Sequence, residues 1–452
     1  MAAKKIQAQL TPEEKLQQAL VPEAEQPYKV PDNWCYFFFT ALIDIEGGTQ
    51  PPKSQFVDEP LENYVRLVQI RDFASNKYAV YVPDSKKLRH FENNDILIAR
   101  YGASLGRICT GMSGVYNVAL AKIIFSENIL NRKYVYWMLQ SDVFQIPLLS
   151  ISRTAQAGFN KDDLSTFSMP LPPLVEQQRI VERIESLFAK LDEAKENLQN
   201  VLDGFETRKA AILHKAFTGE LTAKWRKQHG MSMDSWEEKR LGKVCKINPS
   251  KINTKNLSDD LEVSFFPMAS LSEITGEIVD PEIRTLGKVK NGFTNFSEGD
   301  VVFAKITPCM ENGKSAIIGK LINDIGYGTT EFYVLRCGEE LSNKYLHHIV
   351  RSKKFRDEAK QNMTGAVGQQ RVPKKYMEDY MLNLPTLDEQ TEIVRIIDDL
   401  LAKEQQAKEL AENALAKIEL IKKSILARAF RGELGTNNPA DEPAVELLKQ
   451  VL

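Results

Sequence analysis

The sequence predicts an α+β protein: two mixed α/β domains separated by two long antiparallel coiled-coil helices, with pseudo-twofold symmetry. Three observations carry that prediction. A long helical stretch occurs twice without a gap. It runs first from Leu171-Pro172-Pro173-Leu174-Val175-Glu176-Gln177 to Ala216-Phe217-Thr218-Gly219-Glu220-Leu221. It runs again from Leu384-Pro385-Thr386-Leu387-Asp388-Glu389-Gln390 to Ala429-Phe430-Arg431-Gly432-Glu433-Leu434, with every matched pair 213 residues apart (Leu171 to Leu384, Leu221 to Leu434). The stretches preceding each copy share a β-rich texture punctuated by Gly, Pro, Asn and Asp. These two stretches also echo one another: Phe91-Glu92-Asn93-Asn94-Asp95-Ile96-Leu97-Ile98-Ala99-Arg100 parallels Phe296-Ser297-Glu298-Gly299-Asp300-Val301-Val302-Phe303-Ala304-Lys305. A period this long exceeds the roughly 20–50 residues of solenoid units, so it denotes a duplicated pair of modules.

In chain order, the pattern divides into 1–29, an N-terminal helical segment packing with the helical region; 30–170, a first α/β domain; 171–235, a central helical spacer; 236–383, a second α/β domain; and 384–452, a distal helical spacer with its tail. Residues 11–20 read as a short helix, with Thr11 as cap, Pro12 in the first turn and Glu14 completing a capping box. The duplicated segment carries apolar residues alternately four and three apart. The first copy places Ile180, Ile184, Leu187, Leu191, Ala194, Leu198, Val201, Phe205 and Ile212 on this seam, with Arg208 interrupting it. The second places Ile393, Ile397, Leu400, Ala407, Ala411, Ala414, Ile418, Ile421 and Ile425 there, with Glu404 interrupting it. That is a heptad seam. Roughly 40 residues of unbroken helix would make a rod of about 60 Å. Gly219 and Gly432 suit helix C-caps. Val181, Phe188 and Leu202, with Val394, Leu401 and Leu415 in the second copy, widen the stripe beyond a two-helix seam, so the expectation is that they bind a partner.

The 452 residues allow two to four domains, and the composition is that of an ordinary soluble protein: 43% hydrophobic, 27% charged, formal net charge −2. Near-neutrality excludes a polybasic polymer binder but leaves room for DNA binding through local patches. Cys35, Cys109, Cys245, Cys309 and Cys337 lie far apart, which fits a reducing cytoplasm and speaks against a zinc site. No apolar run approaches membrane-spanning length, so the expectation is a cytoplasmic protein with no membrane partner.

With the Leu-Pro-x-Leu-x-Glu-Gln openings, the Ile-Val pairs that follow (Ile180-Val181, Ile393-Val394), the Ala-Phe-x-Gly-Glu-Leu endings and two divergent domains between, the chain resembles the specificity subunit of type I restriction–modification systems. The resemblance covers nearly the whole chain. It implies that each α/β domain is a target-recognition domain for one half of a split double-stranded DNA sequence. It implies too that the helices set the spacing and dock two methyltransferase subunits, which bind S-adenosylmethionine and through which restriction/translocase subunits join. The chain itself would hold no cofactor and catalyse nothing. Two other classes remain open: a free-standing bipartite DNA-binding regulator, and a coiled-coil scaffold protein.

Catalytic motifs are missing where such a reading needs them missing. An adenine methyltransferase requires an Asn/Asp-Pro-Pro-aromatic loop, and Pro51-Pro52 and Pro172-Pro173 follow Gln50 and Leu171. Gly313-Lys314-Ser315 has Pro308 where a phosphate-binding loop needs glycine. His347-His348 are adjacent on a predicted helix and therefore diverge, which argues against a metal site.

Base readout calls for Arg or Lys opposite guanine and Asn or Gln opposite adenine. The first domain offers Arg100, Tyr101, Ser104 and Arg107 in one loop, then Arg153, Gln156 and Asn160 in another. The second offers Lys305, Thr307, Asn312 and Lys314, then Gln369, Gln370 and Arg371. The alternative for each is a solvated loop residue, since phosphate contacts outnumber base contacts. Arg351, Lys353, Lys354 and Arg356 form a basic cluster expected at phosphates or in solvent.

Overall fold

In the computed structural model, which describes residues 11–152, 158–366 and 368–450, the strands of the first domain recur in the second with the same order and the same partners. Each domain has a two-stranded ladder and two four-stranded sheets. In the first, Cys35–Phe38 pairs antiparallel with Ser168–Leu171, which joins the domain's two ends. One sheet then runs Ile43–Gly47, Leu120–Phe125, Leu97–Ala99, Ile108–Cys109. The other runs Tyr81–Pro83, Tyr64–Val68, Gly114–Tyr116, His90–Phe91.

In the second domain the ladder is Glu237–Arg240 with Met381–Leu384. Its sheets run Cys245–Ile247, Phe332–Cys337, Val301–Ala304, Ser315–Ile317, and Glu282–Thr285, Glu262–Phe266, Gly326–Gly328, Thr294–Phe296. Even a parallel pairing recurs, between Tyr64–Val68 and Gly114–Tyr116 and between Glu262–Phe266 and Gly326–Gly328.

The apolar runs that the two domains share are strands buried on both faces. Successive side chains of a strand point to opposite sides. Ile96 and Ile98 therefore enter the core shared with helices Arg132–Gln140 and Asp142–Ser152, while Leu97 and Ala99 enter the core under the other sheet. Val301 and Phe303, against Val302 and Ala304, divide in the same way. Such a strand loses the polar alternation of a half-exposed one, which is why it reads as a continuous hydrophobic block.

The chain folds as two units, residues 1–198 with 413–452 and residues 199–412, so each unit takes part of both repeat helices. Within each unit these parts run antiparallel. In the first, Lys422 pairs with Asp192, and Lys195 with Glu419 at 3.4 Å. In the second, Lys408 lies over the Phe205 ring and Arg208 Nε donates to Glu404 at 2.7 Å. Arg208 and Glu404 are the two polar interruptions of the seam, and each neutralises the other. Polar partners at a seam specify alignment, because a shifted register would strand both charges.

One expectation fails. The second copy is a single helix, Leu387–Ala429, of 43 residues, but the first breaks into Leu174–Asp203 and Phe205–Phe217. The break falls at Gly204, where the second copy has Lys417. Glycine costs a helix interior about 1 kcal/mol relative to alanine. Arg208 Nη2 donates to the Val201 carbonyl beside the break at 2.8 Å.

At the helix ends, Thr11 and Glu14 form the capping box on Pro12–Ala19. Gly219 and Gly432 take φ of 79° and 74° beyond helices Phe205–Phe217 and Leu387–Ala429. At Gly432 a Cβ would also meet Pro31 at 2.5 Å, so glycine is required twice over.

The Glu-Gln of each repeat opening fastens a helix to its domain. Glu176, fully buried, accepts from Trp34 Nε1 (2.8 Å), Asn437 Nδ2 (2.8 Å) and Thr436 Oγ1 (3.3 Å). Glu389, also fully buried, accepts from Trp236 Nε1 (3.0 Å), Thr222 Oγ1 (2.6 Å) and the Arg226 guanidinium. The glutamines span the next turn. Gln177 accepts from Asn131 N and donates to Ile129 O, and Gln390 accepts from Ser342 N and donates to Glu340 O. Buried polar groups are tolerable only when bonded in this way. In the first unit, segments far apart in the chain also meet. Asn33 donates to Asn438 O, its own carbonyl accepts from Ala444 N, and helix Val445–Lys449 touches helix Pro12–Ala19.

Candidate nucleic-acid interface

In each domain the central strand ends on a cation, and the structure brings that cation to a second loop far away in sequence. Beyond Leu97–Ala99, Arg100 N donates to Ala119 O at 2.9 Å, and its Nε and Nη2 donate to Phe159 O at 3.2 and 3.0 Å. Its guanidinium lies 5.2 Å from the Tyr101 ring centroid. Gly158, at φ 80°, lies so close that a Cβ would be 2.4 Å from both Arg100 O and the Tyr101 ring. Beyond Val301–Ala304, Lys305 N donates to Glu331 O at 2.9 Å, Val372 N to Lys305 O at 2.9 Å, and Thr307 N to Gln370 O at 3.1 Å. Thus the loops at 100–107 and 158–160 converge, as do those at 305–314 and 364–372.

The named side chains differ in what they have left to offer. Tyr101 and Arg107 are exposed and Ser104 is half-buried. Asn160 is exposed, but its Oδ1 accepts from Asp162 N and Asp163 N and so caps a turn. Arg153 and Gln156 lie outside the described residues. In the second domain Lys305 stands 5.3 Å from the Tyr333 ring centroid. Lys314 Nζ donates to Met268 O and Asn312 Nδ2 to Glu273 Oε2. Thr307 Oγ1 is buried without a hydrogen-bond partner. Gln369 is exposed, Gln370 half-buried. Arg371 is gripped by both oxygens of Glu331 at 2.9 and 2.8 Å, which holds the Glu331 carboxyl below its usual range. Its charge is largely offset before any ligand arrives.

The expectation that Val181 and Val394 meet a partner is corrected, and several other named side chains are engaged within the chain. Val181 and Val394 are buried in the cores of their domains, so neither presents apolar surface to a partner. Phe188 stacks edge-on against Trp137 at 5.0 Å beneath Lys422, Leu401 packs on the second core, and Leu202 and Leu415 are half-buried. Among the described residues of these helices, the exposed large apolar side chains are Val175 (63%), Val201 (38%), Leu387 (45%), Leu410 (62%), Leu420 (65%) and Ile421 (43%). Helical periodicity shows that a stripe is covered, not what covers it; here each helix's first turns face the adjoining domain. Of the basic cluster, Arg351 donates to the carbonyls of Glu273, Ile274 and Gly313, and Arg356 to those of Glu311 and Arg351. Those two arginines brace loops of the second domain.

Gly313-Lys314-Ser315 leads into strand Ser315–Ile317, whereas a phosphate-binding loop opens a helix. Among the described residues no cluster of His, Cys, Asp and Glu could hold a metal, and no helix is long and apolar enough to cross a membrane.

The histidine pair diverges as its spacing requires. His348 Nε2 meets Asp398 at 2.9 Å, while His347 Nε2 is buried without a partner at a cavity of about 1110 Å³ in the second unit. Burial first, then Arg351 and His348, lowers His347 to about 3. An unfolded histidine titrates near 6.5. Between about pH 6.5 and pH 3 the unfolded chain therefore binds the extra proton, and stability falls as the pH falls; above that window it is fully present. Urea midpoints of the second unit should record a loss on the order of 4 kcal/mol across this window. His347→Gln should flatten the profile, and an unchanged slope would exclude His347 as its source.

Two copies of one α/β fold, each with paired polar loops and each fastened to parts of two antiparallel helices, define a duplicated, helix-linked class of protein. The model for the type I restriction modification DNA specificity domain matches residues 31–203 and 233–414. This chain belongs to that family. It is 35% identical over 260 residues to the EcoEI specificity subunit of Escherichia coli, a match spanning 48% of this chain and 43% of the relative, thus less than half of that protein. It is 24% identical over 438 residues to the EcoKI specificity subunit of Escherichia coli K12, covering 92% of both. Among solved structures, the HsdS subunit from Thermoanaerobacter tengcongensis superposes with a TM-score of 0.63 at 19% identity, over 91% of this chain and all of that one.

Proposed function

We propose that the chain is the DNA-recognition subunit of a type I restriction–modification complex, that each α/β domain reads one half of a split target, and that the helices set the distance between the halves. The observation that carries this reading is the strand-for-strand repetition of one fold around loops of different chemistry: Arg100, Tyr101 and Arg107 in one domain, Lys305, Thr307 and Gln370 in the other. A duplicated frame with unlike loops suits two unlike half-sites better than a symmetric scaffold. Two methyltransferase subunits bearing S-adenosylmethionine, and a restriction/translocase subunit, would supply the catalysis. The exposed Leu410, Leu420 and Ile421 are apolar surface available for docking.

The test is binding to duplexes in which each half-site is scrambled in turn. Arg100→Ala should lose about 1–3 kcal/mol on DNA carrying the first half-site and nothing once that half is scrambled. Lys305→Ala should do the same for the second half. Equal losses on unrelated DNA would make these phosphate contacts, and unchanged binding by both variants would remove the two loops from the interface.

A further inference from the structure

The second domain sets two thiols face to face. Strand Cys245–Ile247 pairs antiparallel with Phe332–Cys337, and Cys245 stands opposite Cys337. On either side along the ladder, Gly338 N donates to Val244 O at 2.8 Å and Asn248 N to Val334 O at 2.7 Å. Hydrogen-bonded and non-hydrogen-bonded pairs alternate along such a ladder, which puts Cys245 and Cys337 at a non-hydrogen-bonded position. There opposite Cα atoms come within about 4.5 Å and their side chains lie closest. A disulfide spans Cα separations of about 4.4–6.8 Å, so the bridge fits with little backbone movement. Both thiols are free.

Their exposures differ usefully. Cys245 is 4% exposed and belongs to the core of the domain. Cys337 is half-buried beside the exposed Gly338-Glu339-Glu340 turn, where a small oxidant can reach it. The hydrogen bond to Cys337, and then burial, raise the Cys245 thiol far above its usual range, so it keeps its proton until it reacts.

We propose that Cys245 and Cys337 are an oxidation-sensing pair, with Cys337 the sulfur that reacts first with a peroxide and Cys245 the thiol that closes the cross-strand disulfide. In the first step the Cys337 sulfur attacks a peroxide oxygen. An S–O bond forms, the O–O bond breaks, and hydroxide leaves with the thiol's proton as water. In the second step the Cys245 sulfur attacks Cys337. The S–S bond forms, the S–O bond breaks, and hydroxide departs with the Cys245 proton as a second water. The two sulfurs lose two electrons and the peroxide gains them. The closed bridge ties the edge strand Cys245–Ile247 to its neighbour. That neighbour's other partner is Val301–Ala304, which ends at Lys305. The proposal rests on sheet geometry and stands whether or not Lys305 meets DNA.

The experiment treats the full chain with hydrogen peroxide, alkylates the remaining thiols, digests, and reads the peptides by mass spectrometry. The expected product joins the Cys245 and Cys337 peptides within one chain, lighter by two hydrogens, and dithiothreitol abolishes it. Cys337→Ser should eliminate it and leave Cys245 alkylatable. Cys245→Ala should leave Cys337 as a sulfenic acid that dimedone captures. Oxidation of Cys337 onward to sulfinic acid in the unmutated chain with Cys245 still alkylatable, or a bridge only between two chains, would overturn the proposal.

Discussion

Arg226→Ala should destabilise the second unit by about 3–5 kcal/mol, the loss expected when one partner of a buried ion pair is removed. The Arg226 side chain is 7% exposed and that of Glu389 is 0% exposed. Arg226 also donates to Gly219 O and Thr222 Oγ1, so alanine leaves a carboxylate, a carbonyl and a hydroxyl short of a partner. The first unit supplies the contrast, because Glu176 there is satisfied by neutral donors alone. Its nearby pair, Arg179 with Asp441, leaves Arg179 32% exposed. Arg179→Ala should therefore cost less, about 1.5–3 kcal/mol. Urea unfolding followed separately for the two units measures both. Replacing Arg226 and Glu389 together by Met and Leu should recover much of the loss, since apolar isosteres of a buried pair are often neutral or better. Equal midpoints for wild type and Arg226→Ala would show that the pair does not hold the helix to its domain.

Phe430→Ala should cost the first unit about 3–5 kcal/mol. Phe430 is fully buried in the first domain's core, its ring 5.3 Å from that of Tyr134, and its carbonyl accepts from Tyr28. Phe217 occupies the matching place in the other repeat, 5.6 Å from Tyr345, but is only half-buried. Phe217→Ala should accordingly cost roughly 1.5–3 kcal/mol. Identical residues in a duplicated motif would thus differ in weight because their surroundings have diverged. A larger loss at Phe217 than at Phe430 would contradict the burial that separates them.

Much of this architecture is legible in the sequence because two hydrophobic patterns announce it. The double-sided strands at Ile96–Ala99 and Val301–Ala304 read as apolar blocks, and the helices read as heptads. Polar interruptions at Arg208 and Glu404 were visible too, although their pairing was not: periodicity places a charge on a face and is silent about what stands opposite. The break at Gly204 could have been anticipated, since the second copy has Lys417 there and glycine is a poor helix former. Less accessible were Glu176 and Glu389. A glutamate in the first turn of a helix ordinarily interacts with the helix dipole at the surface, and only tertiary packing reveals that these two are buried anchors. The same limit explains Arg351 and Arg356, whose carbonyl partners come from loops distant in sequence. Convergence of the loop after each central strand with a second loop was not visible either, because it depends on the Arg100–Phe159 and Lys305–Val372 bonds.

Because Asn33 is tied to Asn438 and Ala444, and because Leu426, Phe430, Ala444 and Leu448 complete the first domain's core, the order of synthesis matters. The ribosome must finish residues 199–412 before it delivers the pieces the earlier-made domain lacks. The later-made domain, whose unit is one unbroken segment of polypeptide, can close as soon as it emerges, while the earlier one waits for Leu426, Phe430, Ala444 and Leu448.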